Sequence, residues 1–338
     1  MNPGADTASA ELMRMLHAPL LTQALAVAAE LGLADLVADR PCTAEELAAA
    51  VDAHPEGLYR MLRALAGAGV FREVAPRIFG STPLAEALRE VADGSLRHWA
   101  RLWGLPQRHA AIGALLYSVR TGEPSFPHLH GRDWWSHLAE HPEQAAVFDA
   151  AMGDLARQLH AATVRAYDLS AVRWLVDIGG GRGHLVSVLL GRYPELRATV
   201  FDRPEVVPHA AAVLAEAGVA DRAQLVGGDF FQAVPPGADA YLMSMILHDW
   251  NDAQVLSILE VVRRAMGGRG ELLVVDAVVP PGDAMHDGKL RDLIMLTLHP
   301  GRERTEAEFS ALFARAGLRL REVRELAAST SLLAAVPA

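Results

Sequence analysis

The stretch Val176-Asp-Ile-Gly-Gly-Gly-Arg-Gly183 ends an apolar segment that predicts a β-strand and opens a segment that predicts a helix. Glycines at such a junction let the backbone turn tightly and bring its N–H groups close to a ligand. Their Gly-x-Gly-x-Gly spacing differs from the Gly-x-Gly-x-x-Gly of dinucleotide-binding folds, and an acid, Asp177, precedes them. A second acid, Asp202, ends the next predicted strand, where a carboxylate can hydrogen-bond a ribose diol. These features favour a nucleotide-type ligand over a strand-to-helix turn that binds nothing.

The region around this loop alternates between strand and helix patterns, which is typical of a parallel sheet covered on both faces. Helices are predicted at 185–192, 205–217, 252–265 and 306–316. Strands are predicted at 174–178, 198–201, 224–226, 240–245, 271–275, 318–323 and 331–336. Gly228-Asp-Phe230 follows the third strand. A carboxylate next to a flat apolar ring suits an adenine, although an ordinary loop acid is the simpler alternative.

The first half of the chain has apolar residues at helical spacing. We predict a helix over 11–36 that stops near Gly32, a helix capped by Thr43, a helix over 55–67, and two short strands at 70–71 and 78–79. This order is a winged helix. A DNA-binding role is disfavoured because the would-be recognition helix carries only two cations, Arg60 and Arg63. The apolar first helix instead favours dimerisation.

The charge balance of the 338-residue chain limits its partners. Its formal net charge is −10, which argues against binding to nucleic acid or to an anionic membrane. A single cysteine fits a reducing cytoplasm, and the first ten residues show no secretory signal pattern. No membrane span is expected, because Gln23, Glu30 and Asp35 interrupt the apolar segment 20–36. We therefore expect a soluble cytoplasmic protein.

Several sequence blocks together resemble a known family. In chain order they are Asp177-Ile-Gly-Gly-Gly-Arg-Gly183, Val200-Phe-Asp-Arg-Pro204, Gly228-Asp-Phe-Phe231, Leu247-His-Asp-Trp-Asn-Asp252 and Arg302-Glu-Arg-Thr305. The chain resembles class I methyltransferases of the plant caffeate and flavonoid O-methyltransferase type, and most of all their bacterial relatives that modify aromatic secondary metabolites. The resemblance implies a winged-helix dimerisation domain (1–95), a helical connector that contributes to the substrate pocket (96–168), and a Rossmann-like α/β domain with a mostly parallel seven-stranded sheet (169–338).

The resemblance also implies a cofactor, S-adenosylmethionine, which leaves as S-adenosylhomocysteine, and a homodimer formed through the N-terminal helices. The residues it assigns to the cofactor are Asp177, Gly179, Gly181, Gly183, Asp202, Arg203, Gly228, Asp229, Phe230, Ser244 and Trp250. Ser244 departs from plant members, which often carry a lysine there.

The same resemblance makes His248 the general base and Asp276 and Glu303 the acids beside it. A phenol is a poor nucleophile while protonated, and histidine titrates near neutral pH, so it suits the removal of that proton. A carboxylate on one ring nitrogen leaves the other free to take the proton. Asp276 replaces a glutamate common in relatives, and His299-Pro300 departs from the paired glycines often found there.

We predict an apolar acceptor pocket for a small aromatic substrate, although each residue assigned to it also has a simpler explanation as core packing. Its candidates are Trp103, Trp134, Phe148, Met152, Asp249, Met295, Leu298 and His299. No metal is expected: His128 and His130 form the one suggestive pair, and no acid or cysteine lies at a recognised metal spacing from them.

The expected function is O-methylation of a hydroxyl on an aromatic secondary metabolite. The main alternative is decarboxylation, hydroxylation or C-methylation on the same scaffold. A winged-helix regulator that binds the cofactor is a weaker alternative.

Overall fold

The computed structural model describes residues 3–92, 94–326 and 329–338. Two compact units divide the chain: the first extends to Ala110 and includes Trp135–Leu155, and the second comprises Ala111–Trp134 and Ala156–Ala338. The helices are α1 (Pro3–Glu30), α2 (Leu33–Leu36), α3 (Ala44–Ala50), α4 (Pro55–Gly67), α5 (Pro83–Glu86), α6 (Arg97–Trp103), α7 (Pro106–Gly113), α8 (Leu115–Thr121), α9 (Ser125–His130), α10 (Trp134–Glu140), α11 (Pro142–Ala166), α12 (His184–Arg192), α13 (Ala210–Glu216), α14 (Asp252–Met266), α15 (Asp287–Leu298) and α16 (Glu306–Arg315). The strands are β1 (Cys42–Thr43), β2 (Arg72–Ala75), β3 (Ile78–Gly80), β4 (Trp174–Ile178), β5 (Arg197–Asp202), β6 (Ala223–Gly227), β7 (Ala240–Ser244), β8 (Glu271–Asp276), β9 (Leu318–Glu325) and β10 (Ser331–Pro337).

The second unit is built on one seven-stranded sheet in the order β6-β5-β4-β7-β8-β10-β9. The five strands from β6 to β8 are parallel, and β10 runs antiparallel to both β8 and β9. Apolar clusters on both faces bury strands such as β8, whose residues 272–275 are all apolar and inaccessible, as expected for a covered parallel sheet. The predicted mostly parallel seven-stranded sheet is confirmed.

Topology decides where a site can form in this sheet. The chain order reverses at β4, with β5 on one side and β7 on the other. Open α/β sheets bind ligands outside the carboxyl ends of the strands at such a reversal. The glycine loop follows β4, and Asp202 ends β5.

The first unit contains the winged-helix elements, with one correction to the strands. Its sheet has three strands in the order β1-β3-β2. The strand predicted at 70–71 lies at Arg72–Ala75 instead, because Val70 and Phe71 are buried in the core of this unit. Two predictions are confirmed: Gly32 ends the first helical segment in a left-handed conformation, and Thr43 forms a capping box with Glu46.

The long first helix has an apolar segment that is longer than the one considered in the sequence. Its segment Thr7–Glu30 is apolar enough to cross a membrane by length and composition, with a mean hydropathy of 1.2, and 17% of it is buried. The segment is longer because the helix begins well before Leu20, and the expectation that the chain has no membrane span stays a prediction. The exposed large apolar side chains of this helix are Leu12, Met13, Met15, Leu16, Leu20 and Val27. An apolar surface of this kind is typical of an interaction face.

Candidate active site

The glycine loop after β4 packs directly on the turn that carries His248. Gly179 adopts a left-handed φ of +72°, and a Cβ there would lie 2.4 Å from Cδ1 of Ile246. Only glycine permits both the conformation and the close approach. The loop and the 3-10 turn Leu247–Asp249 are therefore neighbours at the carboxyl edge of the sheet.

Asp202 connects β5 to this loop. Its Oδ2 accepts a hydrogen bond from the Gly181 N–H at 2.8 Å, and its Oδ1 accepts one from the Arg203 N–H at 2.7 Å. Asp177 lies beneath the loop at 2% exposure. Burial raises the pKa of Asp177 to about 7, and the charge of Asp202 adds to the rise. The two predicted acids thus differ: Asp177 is buried under the loop, and Asp202 accepts a hydrogen bond from the loop backbone.

The third corner of the predicted cofactor site is an aromatic cluster after β6. The ring centroids of Phe230 and Trp250 are 5.9 Å apart at 82°. The Asp229 carboxylate accepts hydrogen bonds from the Phe231 N–H and from Gln232. The Gly228 N–H donates to the Asp202 carbonyl at 2.9 Å. This corner therefore lies beside the end of β5.

The remaining predicted cofactor residues occupy the same edge. Ser244 ends β7. The exposed Arg203 follows β5 and lies 3.3 Å from Glu205. All eleven assigned residues are in the second unit, at or just after the carboxyl ends of β4 to β7. Their roles toward a cofactor stay a prediction.

The three predicted catalytic side chains meet in one buried cluster. Nδ1 of His248 lies 3.1 Å from Oε1 of Glu303 and 3.9 Å from Oδ1 of Asp276. Nε2 of His248 lies 3.6 Å from Oδ1 of Asp249. Within the described part of the chain, neither carboxylate oxygen of Asp276 has a hydrogen-bond partner. One ring nitrogen therefore faces the two buried acids, and the other lies on the side of the half-buried Asp249.

Burial and charge within this cluster shift the pKa values of His248 and Asp276. Burial alone lowers the pKa of His248, but the charges of Asp249 and Asp276 and the hydrogen bond that the ring donates to Glu303 outweigh burial and raise the pKa to about 10. Burial also raises the pKa of Asp276; the His248 charge opposes that rise, and Glu303 adds to it. Without a ligand, the imidazole therefore holds a proton at neutral pH.

The cluster also meets the geometric minimum for a metal site. One ligand atom each from His248, Asp276 and Glu303 lie within 4.8 Å of one another. Their two carboxylates and one imidazole suit a divalent ion. In the histidine pair considered in the sequence, the ring of His128 stacks on that of Tyr117, with the ring centroids 3.9 Å apart.

Two residues that hold the His248 turn were missed by the site predictions. The guanidinium of Arg304 is fully buried and donates to the carbonyls of Leu247 at 3.0 Å and Trp250 at 2.7 Å, and to the Asp252 carboxylate at 2.8 Å. Gly301 lies against the same turn, and a Cβ there would lie 1.9 Å from the carbonyl oxygen of His248. The only sequence signal was their position within or beside the Arg302–Thr305 block.

Apart from this turn, the structure buries another histidine, His160, which lies on α11 at 9% exposure. Burial lowers the pKa of His160 to about 4, and the nearby His184 adds to the effect. A histidine on a mostly helical connector gave no sequence signal of its own.

The predicted acceptor residues are divided between the two units. Trp103, Phe148 and Met152 belong to the first unit, where Phe148 meets Trp135 edge-on at 5.5 Å. Trp134, Asp249, Met295, Leu298 and His299 belong to the second. Trp134 is 1% exposed and packs edge-on against Phe126 at 5.2 Å. Their assignment to the acceptor stays a prediction.

Comparison with known proteins identifies relatives along nearly the whole chain. The model of the O-methyltransferase domain matches residues 113–319, and that of the O-methyltransferase dimerisation domain matches residues 13–90. Phenazine O-methyltransferase PhzM of Lysobacter antibioticus is 44% identical, over 99% of this chain and 98% of that protein. The solved structure of the mitomycin 7-O-methyltransferase MmcR is similar with a TM-score of 0.91, at 36% identity over 100% of both chains. The O-methyltransferase NcsB1 from neocarzinostatin biosynthesis, solved with S-adenosylmethionine and 2-hydroxy-5-methyl naphthoic acid, has a TM-score of 0.82 at 34% identity, over 94% of this chain and 96% of that chain.

The fold and the site define a class I methyltransferase: a mostly parallel sheet, a glycine loop after β4, and a buried histidine after β7. The chain belongs to the O-methyltransferase family, and its N-terminal part to that family's dimerisation domain. The resemblance drawn from the sequence blocks is confirmed.

The contact at Gly301 predicts that Gly301→Ala lowers turnover by displacing the backbone of the turn that carries His248. The new methyl group would meet the His248 carbonyl oxygen at 1.9 Å and the Asp249 carbonyl carbon at 2.4 Å, so the turn must shift. A displacement of about 1 Å costs on the order of 10²-fold in turnover. Steady-state kinetics measure this loss. The matched control is Gly191→Ala, whose Cβ meets nothing within 4 Å; equal activity of the two variants would contradict the prediction.

The charges around His248 predict that Asp276→Asn lowers the pKa of the His248 imidazole. The substitution removes one of the negative charges that hold the wild-type value near 10. Nitrogen-15 NMR of the ring, followed through a pH titration of the ligand-free protein, should show a later loss of the proton in the wild type than in the variant. Asp283→Asn, which changes an exposed acid, should leave the midpoint unchanged. An unchanged or higher midpoint in Asp276→Asn would refute the electrostatic account.

Proposed function

We propose that this protein transfers the methyl group of S-adenosylmethionine to a hydroxyl of a small aromatic molecule, with His248 as the general base. The observation that carries the proposal is the orientation of the buried His248 ring. Its Nδ1 is 3.1 Å from Glu303, which leaves Nε2 on the opposite side for a proton from an acceptor. The contact between Gly179 and Ile246 brings the glycine loop beside this ring.

The residues at the sheet edge fit the proposed cofactor. The left-handed Gly179, Gly181 and Gly183 carry no side chain that could keep a ligand from the loop backbone, and the Asp202 oxygens retain lone pairs beyond the two backbone N–H groups they accept from. Phe230 and Trp250 supply flat apolar surface for an adenine. When bound, S-adenosylmethionine supplies an activated methyl group on a positively charged sulfur.

The base must be neutral when it takes the acceptor proton, although its ligand-free pKa is raised. A positive charge bound beside the ring lowers that pKa. Glu303 then performs two tasks: it fixes the ring orientation and stabilises the imidazolium that forms on proton transfer. Asp276, whose carboxylate has no hydrogen-bond partner in the described residues, adds negative charge without competing for Nε2.

The acceptor class follows from the relatives. Those named above are O-methyltransferases, and NcsB1 was solved with a hydroxylated naphthoic acid. This favours methyl transfer over decarboxylation, hydroxylation or C-methylation. We assign the acceptor to the predicted pocket residues, such as Trp103 and Met152, and retain the domain boundaries 1–95, 96–168 and 169–338. A cytoplasmic homodimer formed through α1 completes the proposal, because the dimerisation model includes most of that helix.

The proposed base predicts that His248→Gln abolishes turnover but preserves cofactor binding. Loss of a positioned base costs on the order of 10²- to 10⁴-fold in rate, whereas the ring hydrogen-bonds Glu303 rather than the glycine loop. Single-turnover assays with labelled S-adenosylmethionine and a panel of hydroxylated aromatics measure the first effect, and calorimetry with S-adenosylhomocysteine measures the second. His209→Gln, at an exposed position, is the control. Methyl transfer at the wild-type rate by His248→Gln would exclude this base.

A further inference from the structure

A buried arginine in the first unit has no acidic partner among the described residues. The side chain of Arg108, on α7, is 4% exposed. In the part of the chain that the structure describes, its Nε is buried without a hydrogen-bond partner, and burial is the sole influence on its pKa, which falls to about 10. The guanidinium is therefore still charged at neutral pH.

Neighbouring arginines of the same unit have the acidic partners that Arg108 lacks among the described residues. Arg97 pairs with Asp35 and Glu90, and Arg101 pairs with Glu30 at 2.6 Å. These paired arginines are also more exposed than Arg108. Burial of a charge is costly unless the charge is paired and hydrogen-bonded, so the least accessible cation of the group is the one that lacks an anion.

Two tryptophans flank this cation. The guanidinium carbon of Arg108 lies 4.8 Å from the ring centroid of Trp103 and 5.9 Å from that of Trp99. These residues are four apart on α6 and share one face of the helix. Aromatic faces stabilise a cation partially, but they do not satisfy the in-plane N–H donors of a guanidinium, which match a carboxylate in two parallel hydrogen bonds.

We propose that Arg108, Trp99 and Trp103 form a binding site for the carboxylate of a planar aromatic acid. The rings offer apolar faces for the flat part of the ligand, and the arginine fork binds its anionic group. This inference goes beyond the proposed function, because it assigns the recognition of a ligand's acid group to residues of the first unit.

The test compares two probes that differ by one group, 6-hydroxy-2-naphthoate and 2-naphthol, titrated calorimetrically into the full-length protein saturated with S-adenosylhomocysteine. The wild type should bind the naphthoate more tightly. Arg108→Met should weaken naphthoate binding by about 10- to 100-fold, the usual range for a lost hydrogen bond to a charged group, and should leave naphthol binding unchanged. Arg108→Lys should recover part of the loss because it restores the positive charge but not the planar donors that bind a carboxylate through two hydrogen bonds.

The control is Arg60→Met, which removes an exposed positive charge from the same unit and should change neither affinity. The proposal is overturned if the wild type binds the two probes equally, or if Arg108→Met leaves naphthoate binding intact. It is also overturned if that variant weakens both probes alike and elutes as a smaller oligomer, because Arg108 would then pair with a second copy of the chain.

The carboxylate site and the proposed function can be tested separately. If the wild type binds the naphthoate through Arg108 but transfers no methyl group to any hydroxylated acceptor, the carboxylate site stands and the proposed function falls. If the wild type methylates hydroxylated aromatics but binds the naphthoate with no dependence on Arg108, the function stands and this site falls.

Discussion

The buried guanidinium of Arg304 holds the turn on which the site depends. It donates to two carbonyls of the turn and to Asp252 at the start of α14. The preceding residue, Glu303, binds the ring of His248. Adjacent residues in one short segment therefore fix the backbone that carries the imidazole and the direction in which the imidazole points. A shift of that segment alters both at once.

The proposed proton transfer at His248 conflicts with the electrostatics of its cluster. Asp249, Asp276 and Glu303 place negative charge around one buried ring, which raises its pKa above the unfolded value. A group with a raised folded pKa stabilises the fold fully below its unfolded pKa near 6.5, and that stabilisation is lost as the pH rises through the folded value near 10. The contribution of His248 to stability is therefore greatest with the ring charged, whereas the proposed reaction needs it neutral. Such conflicts are common at catalytic sites.

The parts of this protein that local chemistry determines were predictable from its sequence. Strand β4 lies at the predicted residues because an apolar run and a glycine loop bound it, and Thr43 forms the capping box that its sequence indicated. Other features depend on tertiary approach. The role of Gly301 follows from a backbone that passes 1.9 Å from its missing Cβ, and the displacement of β2 follows from the burial of Val70 and Phe71. Neither contact produces a periodic pattern in the sequence from which it could be predicted.

The central claim is that Glu303 holds one nitrogen of His248 so that the other faces the acceptor. A crystal structure with S-adenosylhomocysteine and a hydroxylated aromatic acid tests it most directly. The account predicts that Nδ1 stays on Glu303 and that Nε2 lies within about 2.6–3.2 Å of the acceptor oxygen. A complex in which the acceptor hydroxyl contacts another side chain, or in which both ring nitrogens bind carboxylates of the cluster, would contradict it.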